Sequence, residues 1–399
     1  MTMIPKIRFS EFVEEWKEMD FSDIFSFIKN NSLSRDQLAR EGLIKNIHYG
    51  DVLIKYGECI DANKDEIPFV KDSELGKKLL RVGAIQNGDV IIADAAEDNT
   101  VGKCSEIIAQ DSDLIISGLH TIAIRPNIEF ANRYLGYYMN SCTYHNQLLP
   151  HIQGTKISSI SKKAVCSTNI KAPTLSEQRR ISQFFTLLDE TIRLEGERLA
   201  SLQQVKAASL QSFFPQEGEK EPRVRFKGFS GEWKKVRLGD VLKYEQPTSY
   251  LVSSTDYFEE GIPVLTAGKS FILGFTHENF GVFSKLPVII FDDFTTDSKY
   301  VEFPFKAKSS AMKMLSLRNE GNNLRFLFEV LNNIKFLVGD HKRHWIAEFS
   351  NMEILLPSPL EQRALSAYFT NIDEQIRLER EKIEKMKKVK GACLEGMMV

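Results

Sequence analysis

A long segment that occurs twice constrains the fold of this chain more than any other feature. Residues 172–214 read APTLSEQRRISQFFTLLDETIRLEGERLASLQQVKAASLQSFF, and residues 356–398 read LPSPLEQRALSAYFTNIDEQIRLEREKIEKMKKVKGACLEGMM. The two align without a gap, and no proline interrupts either copy after its first turn. Each copy is therefore predicted to be one long helix. Both begin with the S/T-x-x-E spacing of a capping box, in the pairs Thr174–Glu177 and Ser358–Glu361.

Both copies carry the same apolar stripe, with steps of three, four and seven residues that fall on one face of a helix. A helix roughly 60 Å long, at 1.5 Å per residue, needs a partner of equal length to cover such a stripe. We predict that the two helices form an antiparallel coiled coil; the alternative is two amphipathic helices that pack on separate domains. The predicted seam is Phe185, Leu188, Ile192, Leu199, Leu202, Phe369, Ile372, Ile376, Ile383 and Met386, with Val205 and Val389 further along the stripe. Ion pairs at i,i+4 are predicted on its flanks, in Asp189–Arg193 and Asp373–Arg377.

The chain outside these helices also repeats. Residues 5–27 and 222–244 share Pro, Arg, Phe and Trp at matching places, and Trp16 and Trp233 precede the apolar alternation that is typical of a strand. Behind each of these leading segments the pattern predicts two strands and a short helix in the same order. They fall at 89–94, 120–125 and 133–140, and again at 287–292, 313–318 and 325–332.

These repeats predict an α+β chain with a pseudo-twofold internal repeat. Two similar α/β-type domains are separated by two long helices that form an antiparallel coiled coil. The predicted boundaries are 1–171 for the first domain, 172–214 for the central helix, 215–222 for a charged linker with Gly and Pro, 223–355 for the second domain and 356–399 for the C-terminal helix.

Composition excludes several classes of protein. A net charge of −2 argues against a polycation that coats nucleic acid without specificity. The five cysteines are scattered and form no C-x-x-C pair, which favours free thiols in a reducing cytoplasm. No apolar run is long enough for a membrane span, and the N-terminus lacks the apolar region of a signal peptide.

Motifs for catalysis are missing from the sequence. Gly268-Lys269-Ser270 resembles the end of a phosphate-binding loop, but Pro263 stands where that motif needs its first glycine. Asp297-Ser298-Lys299 follows Asp292 and Asp293 too closely for a metal-dependent nuclease. His341 and His344 are the only histidines near metal-ligand spacing, and the basic run around them is more typical of a phosphate contact. The sequence therefore predicts no catalytic residue and no metal site.

The repeats and their motifs resemble the specificity subunit of type I restriction-modification systems. The signals are P-x-x-x-E-Q-R at the start of each long helix, at 173–179 and 357–363, and D-E-x-I-R-L-E at 189–195 and 373–379. The segment FFPQEGEKEPRVRFKGFSGEWK at 213–234 adds to the resemblance, which covers essentially the whole chain.

The resemblance implies a division of labour. Each variable domain would be a target recognition domain that reads one half of a split DNA sequence. The helices would set the spacing and dock the modification subunits, two of which are expected. Those subunits would bind S-adenosylmethionine and methylate adenine at N6, and separate restriction subunits would use ATP and Mg²⁺. This chain would hold no cofactor, would not be an enzyme by itself, and would act on double-stranded DNA away from any membrane.

The candidate DNA contacts follow from residue type and placement alone. They are Lys103, His120 and Lys156 in the first domain, and Lys269, Lys299, Lys313, Lys342 and Arg343 in the second. Each could equally be an ordinary solvated side chain. Two other functions remain open at this point, a stand-alone two-domain DNA-binding regulator and a coiled-coil adaptor that makes no DNA contact.

Overall fold

The structure, a computed structural model, describes residues 3–154, 156–266, 270–334, 336 and 344–399. The chain divides into two compact units. Unit 1 comprises Met1–Gly196 together with Glu381–Val399, and unit 2 comprises Glu197–Arg380. Each unit therefore contains one of the two predicted α/β-type domains and a segment of both long helices.

Unit 1 contains two five-stranded sheets, ordered β2-β12-β8-β10-β5 and β3-β6-β4-β11-β7, and the short pairs β1-β14 and β13-β9. Its central strand β8 is buried along its whole length. The strands are β1 (Lys17–Asp20), β2 (Phe25–Ile28), β3 (Leu38–Ala39), β4 (Lys45–Ile47), β5 (Cys59–Asp61), β6 (Phe69–Val70), β7 (Ala84–Ile85), β8 (Val90–Ala93), β9 (Ala95–Ala96), β10 (Cys104–Ile108), β11 (Ile115–Ser117), β12 (Thr121–Pro126), β13 (Ser158–Ser159) and β14 (Asn169–Ala172). The helices are α1 (Phe21–Ile24), α2 (Tyr49–Ile54), α3 (Ser73–Gly83), α4 (Tyr134–Met139), α5 (Cys142–Leu148), α6 (Lys162–Cys166) and α7 (Leu175–Phe213), which continues into unit 2.

Unit 2 repeats this plan, with fewer strands among the residues that the structure describes. Its sheets are ordered β16-β22-β19-β20 and β18-β17-β21, and β15 pairs with β23 as β1 pairs with β14. The strands are β15 (Lys234–Arg237), β16 (Leu242–Glu245), β17 (Ile262–Leu265), β18 (Ile272–Thr276), β19 (Val288–Asp292), β20 (Ser298–Val301), β21 (Lys306–Ala307), β22 (Met312–Leu317) and β23 (Glu353–Leu356). The helices are α8 (Leu238–Val241), α9 (Leu324–Asn333), α10 (His344–Ala347) and α11 (Pro359–Met397), which ends in unit 1.

The predicted skeleton is confirmed in both units. The paired strands β8 and β12 and the helix α4 in unit 1 correspond to β19, β22 and α9 in unit 2. The tryptophans of the leading segments explain why the repeat begins where it does. Trp16 and Trp233 are buried, and they pack edge-on against Tyr134 of α4 and Phe326 of α9.

Segments of the two long helices pair in antiparallel fashion within each unit. In unit 1, Lys390 lies 2.6 Å from Asp189, and Lys382 pairs with Glu195. In unit 2, Lys206 lies 2.7 Å from Asp373, and Arg198 lies 3.4 Å from Glu379. In these pairs the residue numbers rise along α7 as they fall along α11, which is the antiparallel order that the sequence predicts.

The predicted seam is covered, with one difference at its ends. Half of its residues are buried, namely Phe185, Phe369, Ile372, Ile376 and Ile383. The other half are half-buried, namely Leu188, Ile192, Leu199, Leu202 and Met386. Val205 and Val389 are 49% and 46% exposed, so placing them on the covered stripe was wrong. An ideal helix drifts relative to a seven-residue repeat, so a long stripe rotates away from its partner.

Two local predictions about charge on these helices were also wrong. Arg193 pairs with Glu190 and Arg377 with Glu374, each at i,i+3. Asp189 and Asp373, predicted to pair with these arginines, face lysines of the other helix instead. A carboxylate beside the seam gains more from a partly buried ammonium than from an exposed guanidinium on its own helix.

Lys390 joins three elements of unit 1. Its Nζ atom lies 2.7 Å from Glu58 of the domain before α7 and 2.6 Å from Asp189 of α7, and Tyr137 donates a hydrogen bond of 2.8 Å to Asp189. Burial alone would lower the pKa of Lys390, but the two carboxylates outweigh it and raise that pKa. The cation is therefore held in its charged form by the domain and the helix together.

Unit 2 contains the equivalent junction. Lys206 lies 2.7 Å from Asp373 of α11 and 3.8 Å from Glu329 of α9, and Arg325 pairs with both carboxylates. Burial raises the pKa of Glu329, and Lys206 and Arg325 oppose that shift. The lysine and the aspartate occupy equivalent places in the two repeats, whereas the glutamate comes from a different element in each.

Each of the two capping boxes forms only in part. The Glu177 N–H donates to Thr174 Oγ1 at 3.4 Å and the Glu361 N–H to Ser358 Oγ at 3.3 Å, as predicted. The glutamate side chains do not complete the box. Glu177 accepts two hydrogen bonds of 2.8 Å from Arg8, because this bidentate, charge-assisted pair is stronger than a bond to a neutral backbone N–H.

The same pair recurs in unit 2, where Arg225 donates two hydrogen bonds of 2.7 Å to Glu361. The glutamine that follows each glutamate accepts a hydrogen bond from the domain. Gln178 accepts from the Ala131 N–H, and Gln362 accepts from the Asn323 N–H, at the turn before α4 or α9. The E-Q motif thus connects each long helix to its leading segment and to the α/β-type domain of the same unit.

The seam can be tested with a matched pair of aspartate substitutions on α11. Ile376 is 7% exposed and Leu378 is 50% exposed. Ile376→Asp should destabilise the protein by about 3 kcal/mol or more, because it buries an unpaired carboxylate and removes core contacts. Leu378→Asp should change the free energy of unfolding by less than about 1 kcal/mol. Chemical denaturation measures both, and equal effects would contradict the assigned seam.

Candidate nucleic-acid interface

The carboxyl ends of parallel strands meet at one edge in each of the two α/β-type domains. In unit 1, β4 runs parallel to β11, and in unit 2, β17 runs parallel to β21. Parallel strands end at the same edge of a sheet, so the loops that follow them converge there. We call this edge, with the loops around it, the strand-end face of each domain.

Four side chains meet on the strand-end face of unit 1. Asp94 follows β8, and its Oδ1 atom lies 3.2 Å from Nδ1 of His120, which precedes β12. Tyr49 follows β4, and its ring meets the His120 ring edge-on at 5.3 Å between centroids. His48 packs against Tyr49 at 4.7 Å. The Ile160 N–H donates to the Asp94 carbonyl at 2.9 Å, and β13 pairs with β9, so the turn that carries Lys156 lies beside this cluster.

The equivalent face of unit 2 carries different side chains. Asp292 ends β19, and its Oδ1 atom accepts a hydrogen bond of 2.9 Å from the Phe294 N–H in the following turn. The Asp293 N–H donates to the Ala311 carbonyl just before β22, at 3.1 Å. The Lys308 N–H donates to the Leu265 carbonyl at the end of β17, at 2.8 Å. The frame of the face is shared with unit 1, but its chemistry is not.

Backbone strain coincides with these faces. Three non-glycine residues have a left-handed backbone in the described part of the chain: Arg133, His120 and Thr296. His120 has a φ of 52° on the face of unit 1, and Thr296 has a φ of 63° on the face of unit 2. Such a conformation costs of order 1–3 kcal/mol and is concentrated at functional sites.

Three of the sequence-predicted contact residues are available to a ligand. The His120 side chain is 53% exposed, and Lys156 and Lys299 are exposed. Lys299 lies on β20 opposite Ile290, close to the end of β19. All three therefore lie at or beside the strand-end faces.

Lys103 turns inward. Its ammonium donates hydrogen bonds of 2.9 Å to the carbonyls of Leu53 and Tyr56, and burial lowers its pKa. This lysine closes a loop of unit 1, so it does not present a free cation to DNA in this structure.

Lys313 is fully buried, so its prediction as a DNA contact was wrong for this structure. Its Nζ atom lies 3.1 Å from Oδ2 of Asp293 and 3.1 Å from Oε1 of Gln246. Asp293 is itself buried, and its Oδ1 atom accepts a hydrogen bond of 2.9 Å from the Trp345 N–H. A buried carboxylate requires a counter-ion, and Lys313 supplies it. The remaining candidates Lys269, Lys342 and Arg343 lie outside the described residues.

Sequence reasoning missed Asp94, Tyr49 and Thr296. A signal for Asp94 was present, since a polar residue directly after a buried strand often marks a strand-end site. Nothing in the sequence marks Thr296, whose backbone conformation depends on the closure of the β19–β20 turn. Tyr49 joins the face only because β4 and β11 are neighbours.

Two searches of the described residues bear on other kinds of site. No group of three or more His, Cys, Asp or Glu side chains in the described ranges could hold a metal ion. Of the helices in the described part, none combines the length and the apolar character that crossing a bilayer requires.

The family model for the type I restriction modification DNA specificity domain matches residues 13–204 and 230–388. The chain belongs to this family. The two matches coincide with the two repeats and include most of both long helices.

Individual family members show the same likeness. The specificity subunit of an Escherichia coli type I restriction enzyme is 51% identical over 138 residues, which span 33% of this chain and 34% of that subunit. This alignment thus covers about a third of that relative's length. A putative type I restriction enzyme specificity subunit of Methanocaldococcus jannaschii is 23% identical over 417 aligned positions, which cover 96% of this chain and 93% of the relative.

Solved structures of the family share the fold. The specificity subunit of M. genitalium superposes with a TM-score of 0.64 at 12% identity, over 100% of this chain and 99% of that chain. A chain from a study of the assembly and conformational transition of a type I restriction-modification system gives a TM-score of 0.51 at 18% identity, over 95% and 96% of the two chains. At these identities the likeness concerns the fold alone.

The contrast between Lys313 and Lys299 gives a direct test of the reassigned residue. Lys313→Met leaves Asp293 buried without its counter-ion, so it should destabilise unit 2 by about 3–5 kcal/mol. Lys299→Met, on the exposed side of β20, should change stability by less than about 0.5 kcal/mol. Thermal unfolding of both variants measures this. If Lys313→Met unfolded at the wild-type temperature, the buried pair would not be structural.

Proposed function

We propose that this chain is the DNA specificity subunit of a type I restriction-modification complex, in which each recognition domain reads one half of a bipartite target. The observation that carries the proposal is the pair of strand-end faces, which share one frame but differ in side chains. Asp94 and His120 in unit 1 stand where Asp293 and Ala311 stand in unit 2, since the aspartate N–H donates to the carbonyl of the second residue at 3.1 Å in each. Asp94 faces His120, whereas Asp293 is buried against Lys313. Different donors and acceptors on one frame are what two readers of unlike base sequences need.

We propose that the chemistry belongs to partner subunits. Two modification subunits would bind S-adenosylmethionine and methylate adenine at N6, and restriction subunits would use ATP and Mg²⁺, in the cytoplasm. The net charge of −2 supports this division, because a near-neutral chain gains affinity when partners contribute phosphate contacts. Leu194 and Leu378, each 50% exposed at equivalent places on the long helices, are candidates for the docking face.

Reconstitution tests the proposal. The purified chain should neither cleave nor methylate DNA, and it should confer sequence-specific adenine methylation once a cognate modification subunit and S-adenosylmethionine are added. A gel shift measures DNA binding with and without that subunit. Tight specific binding by the chain alone would favour a stand-alone regulator. Absence of DNA binding in both cases would favour an adaptor.

We further propose that the helix pair sets the gap between the half-sites. Four residues inserted after Gly196 and four after Arg380 fall between the ion pair Glu195–Lys382 of unit 1 and the pair Arg198–Glu379 of unit 2. The insertion adds about one turn to both helices, roughly 6 Å, and leaves the pairing within each unit in register. At about 3.4 Å per base pair, the gap should lengthen by roughly one to two base pairs while both half-sites stay the same.

Methylome sequencing of a host that carries the insertion variant measures the gap. The control inserts two residues at each place, which rotates the apolar stripe by about 200° and should abolish assembly. An active four-residue variant with an unchanged gap would show that another part of the complex measures the distance.

A further inference from the structure

We propose that His120 reads a base edge in the major groove as a hydrogen-bond acceptor, and that Asp94 acts as the positioning residue that fixes this polarity. The ligand group is an exocyclic amino group of the half-site that the first recognition domain contacts. The proposal rests on the proposed function and specifies the contact that one of its two readers makes.

The His120 ring is held from two sides and open on a third. Its Nδ1 atom lies 3.2 Å from Asp94 Oδ1, and Tyr49 packs edge-on against the ring. His120 has a left-handed backbone with a φ of 52°, and 53% of its side chain is exposed. The side chains of Lys156 and Lys299 lack such restraints, since no partner holds either of them among the described residues. A restrained side chain loses less entropy on binding, which suits it to base recognition.

The contact with Asp94 fixes which ring nitrogen carries the proton. An ionised carboxylate only accepts hydrogen bonds, so Nδ1 of a neutral imidazole must be the donor. The other nitrogen, Nε2, then has a lone pair and no proton. In its neutral form, His120 therefore offers an acceptor to the ligand.

A hydrogen-bond acceptor beside a carboxylate favours contact with a DNA base over contact with the phosphate backbone of the DNA. Phosphate oxygens are acceptors too, and the charge of Asp94 repels them, so a phosphate contact is unfavourable here. In the major groove the donors are the N6 amino group of adenine and the N4 amino group of cytosine. The His120 Nε2 atom matches those groups.

The first experiment measures specificity with the complete complex of this chain and its modification subunits, at pH 8. The wild type defines the bipartite target by selection from a degenerate DNA library. His120→Ala should relax one base pair in the half-site read by the first domain and leave the other half-site unchanged. Asp94→Asn should relax the same base pair, because either ring nitrogen can then carry the proton.

Lys156→Ala is the matched control from the same face. An exposed lysine acts on phosphates, so this variant should weaken binding to all sequences alike and lower the salt dependence of binding. If His120→Ala behaved like Lys156→Ala, the ring would contact the backbone and the proposal would fail.

The second experiment removes single groups from the base pair that His120→Ala relaxes. Purine in place of adenine, or 2-pyrimidinone in place of cytosine, deletes the amino group. This should weaken binding by the wild type about 3- to 10-fold, the worth of one neutral hydrogen bond, and should not affect His120→Ala. A 7-deazapurine, which deletes the N7 acceptor, should leave the difference between the two proteins unchanged.

The outcomes of the two experiments distinguish the ways in which the proposal could be wrong. Sensitivity to the 7-deaza substitution in the wild type alone would mean that His120 donates, which contradicts the polarity. Sensitivity to neither analogue would exclude a base contact. If the wild-type complex selected no bipartite target at all, the proposed function itself would fail before any variant was compared.

Discussion

A lysine shared between carboxylates of different elements is the interaction on which each half of this protein depends. In unit 1, Lys390 bridges Asp189 of one helix and Glu58 of the recognition domain. In unit 2, Lys206 bridges Asp373 of the other helix and approaches Glu329 of the domain. Removing Lys390 would leave two partly buried carboxylates without a counter-ion, which is far more costly than losing an exposed ion pair. Removing Lys206 would leave Asp373 and Glu329 to share Arg325 alone. Each unit thus needs both helices.

The leading segments make further contacts with both repeats at the ends of the long helices. Arg8 pairs with Glu177 at the start of α7, and Ile7 donates a backbone hydrogen bond of 2.8 Å to Gly396 near the end of α11. In unit 2 the backbone bond recurs from Val224 to Ser212, at 3.0 Å. In each unit, the leading segment therefore contacts the end of the long helix that belongs to the other repeat. This explains why the helical motifs and the leading segments recur while the loops between them differ.

Periodicity revealed the scaffold but not the charges that organise it. The apolar stripe, the Trp-led strands and the short helices were predictable, because each depends on residues close in sequence. Asp189 was misassigned because its partner, Lys390, lies far along the chain. Lys313 looked like a surface cation because nothing near it in sequence shows that Asp293 is buried. The strand-end faces were only partly predictable, since His120 and Asp94 meet through the pairing of β8 with β12.

The central claim is that the two recognition domains read DNA independently on a common scaffold. The most direct test replaces residues 245–345 with the matching segment of a family member that has a different target. This keeps β15, β23, both long helices and the Arg225–Glu361 pair. Methylome sequencing of a host that carries the chimera should show one half-site changed to that of the donor, with the other half-site and the gap retained. If both half-sites changed together, the domains would not be separate readers.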